Sequence, residues 1–287
     1  MLAAAEALHY QPNLLARSLA TKRTDLVGIL VDDFSNPYKL PTLEKLTDAL
    51  QSEGMLGVLL NISRDYDHLA AITNAKQRRL DAIILFGTSF RSESFRIDDV
   101  PIYVLARDST IEGVPAVTCD TGKAMQEICD YLEAKDYKRP MFMAGPRTVS
   151  TALGRRRRFA EYWNARGAAV VELFADRYDR ATAAGAVREY LAQTPADQRC
   201  DVLMCENDIL ALGALEVIRG EFGLRVPDDL ALVGYDDIDF ASMDGVDLTT
   251  YRQPYGEMVA TLVGMLAGRQ PGQTRLLPGE LVIRKTA

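Results

Sequence analysis

The residues best suited to chemistry in this 287-residue chain stand immediately after its short apolar runs. Asp32, Asp33, Phe34, Ser35, Asn36, Pro37 and Tyr38 follow the first such run. Thr88 and Ser89 follow another, and Arg107, Asp108 and Asp120 come after later ones. In the second half Thr151 and Arg155, Asn207 and Asp208, and Asp236 and Asp237 hold the same positions. In an open α/β sheet ligands bind beyond the carboxyl ends of the strands. Acids, amides and hydroxyls gathered there suit a small, hydroxyl-rich ligand held between two lobes.

Each residue also has a purely local reading. Asn36-Pro37 is a turn by its own chemistry, and Asn207 or Asp208 can simply cap the helix that follows. The run RRRR at 155–158 reads as a solvated helix face, from which helical spacing lets only one or two side chains reach a cleft. Their shared position at strand ends favours binding. The pair Asp236-Asp237 could do acid–base work, but nothing else marks it as catalytic. The sequence has no GxGxxG, P-loop, GxSxG or HExxH motif. It has only two histidines, His9 and His68, neither near the strand ends. A non-enzymatic binding protein without a cofactor is expected.

The elements that must position these residues follow from periodicity. Apolar strand-like runs lie at 26–31, 55–60, 81–86, 102–106, 140–144, 169–173, 201–205 and 230–234, with two more candidates near 247–251 and 281–284. Amphipathic helices are expected at about 39–53, 65–79, 121–135, 151–166, 180–193, 207–222 and 254–268. Short apolar strands alternating with helices make parallel sheets of right-handed βαβ units. So many strands fit two sheets better than one. The fold class is therefore α/β, with two doubly wound parallel-sheet subdomains and a break near 136–139, where KDYKRP is polar.

Composition sets the outer bounds. The chain is 48% hydrophobic and 25% charged, with a net charge of −7. No apolar run approaches the roughly 18 residues that span a bilayer. Residues 1–8 lack a basic secretory region, and the four cysteines lack metal-type spacing. A reduced, cytoplasmic setting is expected. The acidic balance excludes the body of the chain as a nucleic-acid surface. Residues 10–24 are the exception, carrying Arg17, Lys22 and Arg23 with no carboxylate.

Four stretches carry a family resemblance: LHYQPNLLARSLATKRTDLVGILVDDFSNPY, LDAIIL, NDILALGALEVIRGEFGLRVPDDLALVGYDDIDFASM and LTTYRQPYGEM. Together they resemble the lactose-repressor family of bacterial transcription regulators, in order and over essentially the whole chain. The resemblance implies a homodimeric, sometimes tetrameric, regulator with a periplasmic-binding-protein-like core and no membrane partner. It implies three crossings between lobes, near 137, 252 and 272. Residues 1–24 are then a headpiece remnant with a hinge helix, 25–136 plus 253–271 the first lobe, and 137–252 plus 272–287 the second.

In that family two hinge helices lie in the minor groove of operator DNA, and a leucine wedges open a base step. Leu19 matches the wedge, and Tyr10, Asn13, Ala16 and Arg17 match neighbouring DNA-facing positions. The family's first two headpiece helices have no counterpart here, so a fragment or a misplaced start codon is expected, with weak operator binding or none. In the cleft, Arg155 and Asp236 match the pair that grips effector hydroxyls. Asn207, Thr151 and Asp120 match further contacts, Ser35 and Tyr38 the first-lobe loop, and Tyr255 an inter-lobe flank. Arg180 falls where relatives place an aromatic ring. Beside Arg155 it would favour an anionic effector such as a sugar acid or sugar phosphate; the other reading is a surface arginine at a helix start, which leaves a neutral sugar. The rivals are an exported sugar-binding protein of the same core fold and a Rossmann-type sugar enzyme.

Overall fold

The computed structural model describes residues 23–32, 34, 36–62, 73, 77, 79–86, 100–109, 111–147 and 150–287. The helix expected over 65–79 falls almost wholly outside them. So do Thr88 and Ser89.

The longest apolar runs become the central strands. β1 (Leu26–Val31), β2 (Leu56–Asn61), β3 (Ala82–Phe86), β4 (Ile102–Leu105) and β5 (Ala116–Cys119) join β11 (Arg275–Leu277) in one sheet. Its order is β11-β5-β4-β3-β1-β2, every pair parallel. β6 (Pro140–Ala144), β7 (Val171–Phe174), β8 (Val202–Cys205) and β9 (Ala231–Val233) form a second parallel sheet, ordered β7-β6-β8-β9. β3, β6 and β8 are buried along their whole length, as strands covered on both faces must be. The edge strand β2 is half-buried or exposed along its length instead.

Helices cover both sheets. Leu43, Leu46 and Leu50 of α1 (Lys39–Ser52) pack with Met258 and Leu262 of α6 (Tyr255–Leu266) against β1 and β3. On the second sheet, α4 (Arg180–Gln193) and α5 (Asp208–Leu215) cover one face. α2 (Thr121–Ala134) and α3 (Ser150–Asn164) cover the other. The helix expected over 207–222 ends at Leu215 and widens into a π-helical stretch over 216–221.

Two crossings differ from expectation. The first lies at the end of β5, before α2, and not near 137. Met125, Ile128 and Leu132 of α2 are buried with Phe142, Phe159 and Trp163 of the second sheet's core. The polar stretch KDYKRP is only the turn into β6. The last crossing lies after Leu277 rather than near 272. β11 pairs with β5, and the Asp120 N–H donates to the Leu277 carbonyl at 2.8 Å. The chain then enters β12 (Glu280–Val282), which pairs antiparallel with β10 (Thr250–Arg252). Arg252 stands opposite Glu280, so the second and third crossings run side by side.

Candidate functional site

The carboxyl ends of both sheets converge on one small cavity of about 20 Å³. From the first sheet it receives Asn36 and Tyr38, on the turn between β1 and α1, and Ala106, which follows β4. From the second it receives Arg155 of α3, Tyr178 ahead of α4, Asn207 after β8 and Asp236 after β9. Gln253, on the second crossing, completes it. A wider groove of about 670 Å³ adjoins at Tyr38, Asp236 and Gln253, and its walls include Leu40, Phe240 and Pro254. Convergent polar groups favour the small cavity as the binding centre.

Asp236 is the hub. Its Oδ1 accepts a hydrogen bond from Gln253 Nε2 at 2.6 Å and another from the Tyr255 hydroxyl at 3.2 Å. Burial pushes this carboxyl up to about 6, against the pull of Arg155 and those two donors. Its backbone has φ 123°, and Asp237 beside it has φ 53°. Such conformations cost roughly 1–3 kcal/mol each for residues other than glycine and persist where surrounding contacts fix them. Here Asp237 pairs with Arg252 and with Arg284, each at 2.7 Å. Those pairs tie the strained turn to the crossing strands and aim Asp236 at the cavity.

Arg155 lies with its guanidinium 3.7 Å from the centre of the Tyr235 ring, and its Nη1 donates to the Glu206 carbonyl at 2.7 Å. Burial works against its charge, but the fields of Tyr235, Asp236 and Glu206 outweigh it and hold Arg155 protonated. Asn207 caps α5, its Oδ1 accepting from the Leu210 N–H at 3.1 Å, which leaves Nδ2 as the side chain's donor. On the opposite wall Tyr38 stacks on Tyr255, ring centres 5.3 Å apart, and meets Phe86 edge-on. Behind it Lys39 is buried against Asp32, Nζ to Oδ1 at 2.5 Å.

Of the residues expected in the cleft, Tyr38, Arg155, Asn207 and Asp236 line the cavity. Tyr255 is one hydrogen bond behind it. Asp120 is not brought there. It caps α2, accepting from the Lys123 N–H at 3.0 Å. Arg180 is not brought there either. It stands on the exposed start of α4 and pairs with Glu216 at 3.0 Å, as a surface arginine at a helix start would, so it adds no second cation beside Arg155. Ser35 and the side chain of Thr151 lie outside the described residues, as do Tyr10, Asn13, Ala16, Arg17 and Leu19. Ala106, Tyr178 and Gln253 are the cavity residues that strand-end reasoning missed. Gln253 sat in plain view in LTTYRQPYGEM, and Tyr178 is only two residues from Arg180.

A family model described as periplasmic binding proteins and sugar binding domain of LacI family matches residues 24–263. The chain belongs to that family. Among its LacI-type relatives is the ribose operon repressor of Halalkalibacterium halodurans, 28% identical over 295 residues that cover all of this chain and 86% of the relative. The transcriptional repressor PurR of Photorhabdus laumondii is 26% identical over 307 residues, covering 99% of this chain and 86% of its own. The solved lac repressor dimer bound to operator and the anti-inducer ONPF superposes with a TM-score of 0.85 at 22% identity, over 99% of this chain and 88% of that one. These LacI-family relatives are repressors rather than enzymes. Among the described residues no helix is long and apolar enough to cross a membrane. Among them, too, no group of three or more His, Cys, Asp or Glu side chains is disposed to hold a metal ion.

Proposed function

We propose that the chain is the sensor of a cytoplasmic transcriptional repressor, working as a homodimer, whose inter-lobe cleft binds a small sugar and adjusts affinity for operator DNA. It has no catalytic role in this reading. The observation that carries it is the small cavity into which both sheets deliver polar side chains, Arg155 and Asp236 foremost. Relatives named as a ribose operon repressor and as the transcriptional repressor PurR support regulation over sugar transport. Residues 25–119 with 253–279 act as one lobe and 120–252 with 280–287 as the other.

At about 20 Å³ the cavity cannot admit a sugar ring, so the lobes part for entry and close on the ligand. A ligand shifts this equilibrium only by its preference for one arrangement, worth about 1–3 kcal/mol in typical allosteric proteins. Tyr38, Arg155, Asn207 and Asp236 contact the effector, and Tyr255 supports Asp236. With Arg180 turned outward, a neutral sugar fits better than a sugar acid or sugar phosphate.

A thermal-shift screen of sugars, sugar acids and sugar phosphates tests the cleft. A sugar should raise Tm in the native protein and lose that effect in Asp236→Ala and Arg155→Ala. A rise that survives both substitutions would falsify the assignment. Crosslinking the protein to DNA in its own cells tests regulation, with an enriched site whose occupancy changes on feeding that sugar as the expected result.

A further inference from the structure

Tyr178 and Glu206 form a unit that the cleft reading does not use. Tyr178 precedes α4, is only 5% exposed as a residue, and lines the cavity. Its ring lies so close to Gly145, at the end of β6, that a Cβ on that glycine would stand 2.3 Å from two ring carbons. Glycine at 145 is what lets the ring in.

Glu206, wholly buried after β8, holds the other end. Its Oε2 accepts from the Tyr178 hydroxyl at 2.9 Å and from the Gly145 N–H at 2.7 Å. Its carbonyl accepts from Arg155 Nη1. Among the described residues Oε1 has no hydrogen-bond partner. A buried carboxylate is costly unless its contacts compensate, and here those contacts fix one aromatic ring. The ring fills space at the ends of β6 and β8 on the second-lobe side of the cavity, space that a larger ligand would otherwise take. Tyr38 faces the same cavity from the first lobe.

We propose that Glu206 is a positioning residue that holds the Tyr178 ring as the inner wall of the cleft, and that this wall selects single-ring over two-ring sugars. The inference rests on the cleft reading above. It concerns selectivity, which the general reading leaves open.

The test uses the full chain and its Tyr178→Ala, Glu206→Ala and Glu206→Gln variants, titrated calorimetrically with D-ribose, D-glucose and maltose. The native protein should favour a monosaccharide over maltose. Tyr178→Ala and Glu206→Ala should each cut that preference about tenfold or more, since the wall is gone or adrift. Glu206→Gln keeps an acceptor oxygen for Tyr178 and should retain most of it. Equal weakening of all the sugars in both alanine variants would mean a merely structural role and overturn the proposal.

Nitration by tetranitromethane, mapped on peptides, gives a reading that needs no sugar. Tyr178 should react at least about tenfold faster in Glu206→Ala than in the native protein, while fully buried Tyr235 stays protected as the folding control. Unchanged protection of Tyr178 overturns the positioning role. If Tyr235 is exposed as well, Tyr178→Phe decides, because it removes only the hydroxyl: a relaxed preference supports the proposal and an unchanged one overturns it. Should no sugar bind the native protein, the cleft reading fails while nitration still judges the wall.

Discussion

The Arg155 guanidinium sits 3.7 Å from the centre of the Tyr235 ring, and Tyr235 in turn stacks on Tyr251 with ring centres 5.4 Å apart. This column of planar groups fixes the cation's orientation before any ligand arrives. A lysine at 155 would keep the charge and lose the plane. Arg155→Lys should therefore weaken sugar binding by about 1–2 kcal/mol, roughly tenfold, with the fold intact. Titration calorimetry beside a circular-dichroism melt checks this. Native affinity in the variant would mean that charge alone suffices.

The buried pair Lys39–Asp32 makes a different claim. Their side chains are only 1% and 3% exposed. Lys39→Met leaves Asp32 in the interior without the ammonium that touches it, although the Arg107 charge is felt nearby. Removing one partner of a buried pair costs about 3–5 kcal/mol, whereas replacing both with apolar residues of similar volume is often neutral. The single variant should lose stability on that scale in urea unfolding, and Lys39→Met with Asp32→Leu should recover most of it. A double variant no better than the single would show that the pair is not an isolated unit.

Legibility in the sequence followed the strength of the burial signal. β1, β3, β6 and β8 were readable because strands covered on both faces must be continuously apolar. The crossings were not. The apolar stripe of α2 would suit either sheet, and only packing against Phe142 and Phe159 decides for the second. β11 is three residues behind a polar loop, with no period to detect. In the site, strand-end logic found Asp236, Arg155, Asn207 and Tyr38. The family resemblance pointed to Arg180 where the cavity takes Tyr178, because the entry to α4 turns one outward and the other in. Strand-end logic could not see that Asp120 spends its carboxylate on the Lys123 N–H.

The contact between α4 and α5 gives a paired test of stability. A Cβ on Gly213 would stand 2.2 Å from the Arg180 carbonyl oxygen, so the two backbones could not keep their spacing. Gly185, also helical, has nothing within 4 Å of that position. Gly213→Ala should destabilise by about 1–3 kcal/mol through overpacking. Gly185→Ala should stabilise by about 0.4–1 kcal/mol through lower unfolded-state entropy. Thermal melts should therefore move in opposite directions. Similar shifts in both would refute the close approach.

Asp208 makes the fold sensitive to pH near neutrality. It is fully buried, with Oδ1 accepting from the Thr250 hydroxyl at 2.6 Å and Oδ2 from the Ile238 N–H at 2.9 Å. Burial, reinforced by Asp236, outweighs those donors and pushes the carboxyl up to about 7. In the unfolded chain the same group ionises near about 4. Between these values the folded state holds the extra proton, so stability falls as pH rises, and the loss is complete above the folded value. Asp236, at about 6, and Glu206, raised by burial, act in the same direction. The native protein should melt at a lower temperature at about pH 8 than at about pH 5.5, and Asp208→Asn should flatten part of that slope. The difference between the two curves should grow through the window and level off above about pH 7. A constant difference would mean that Asp208 is already ionised throughout.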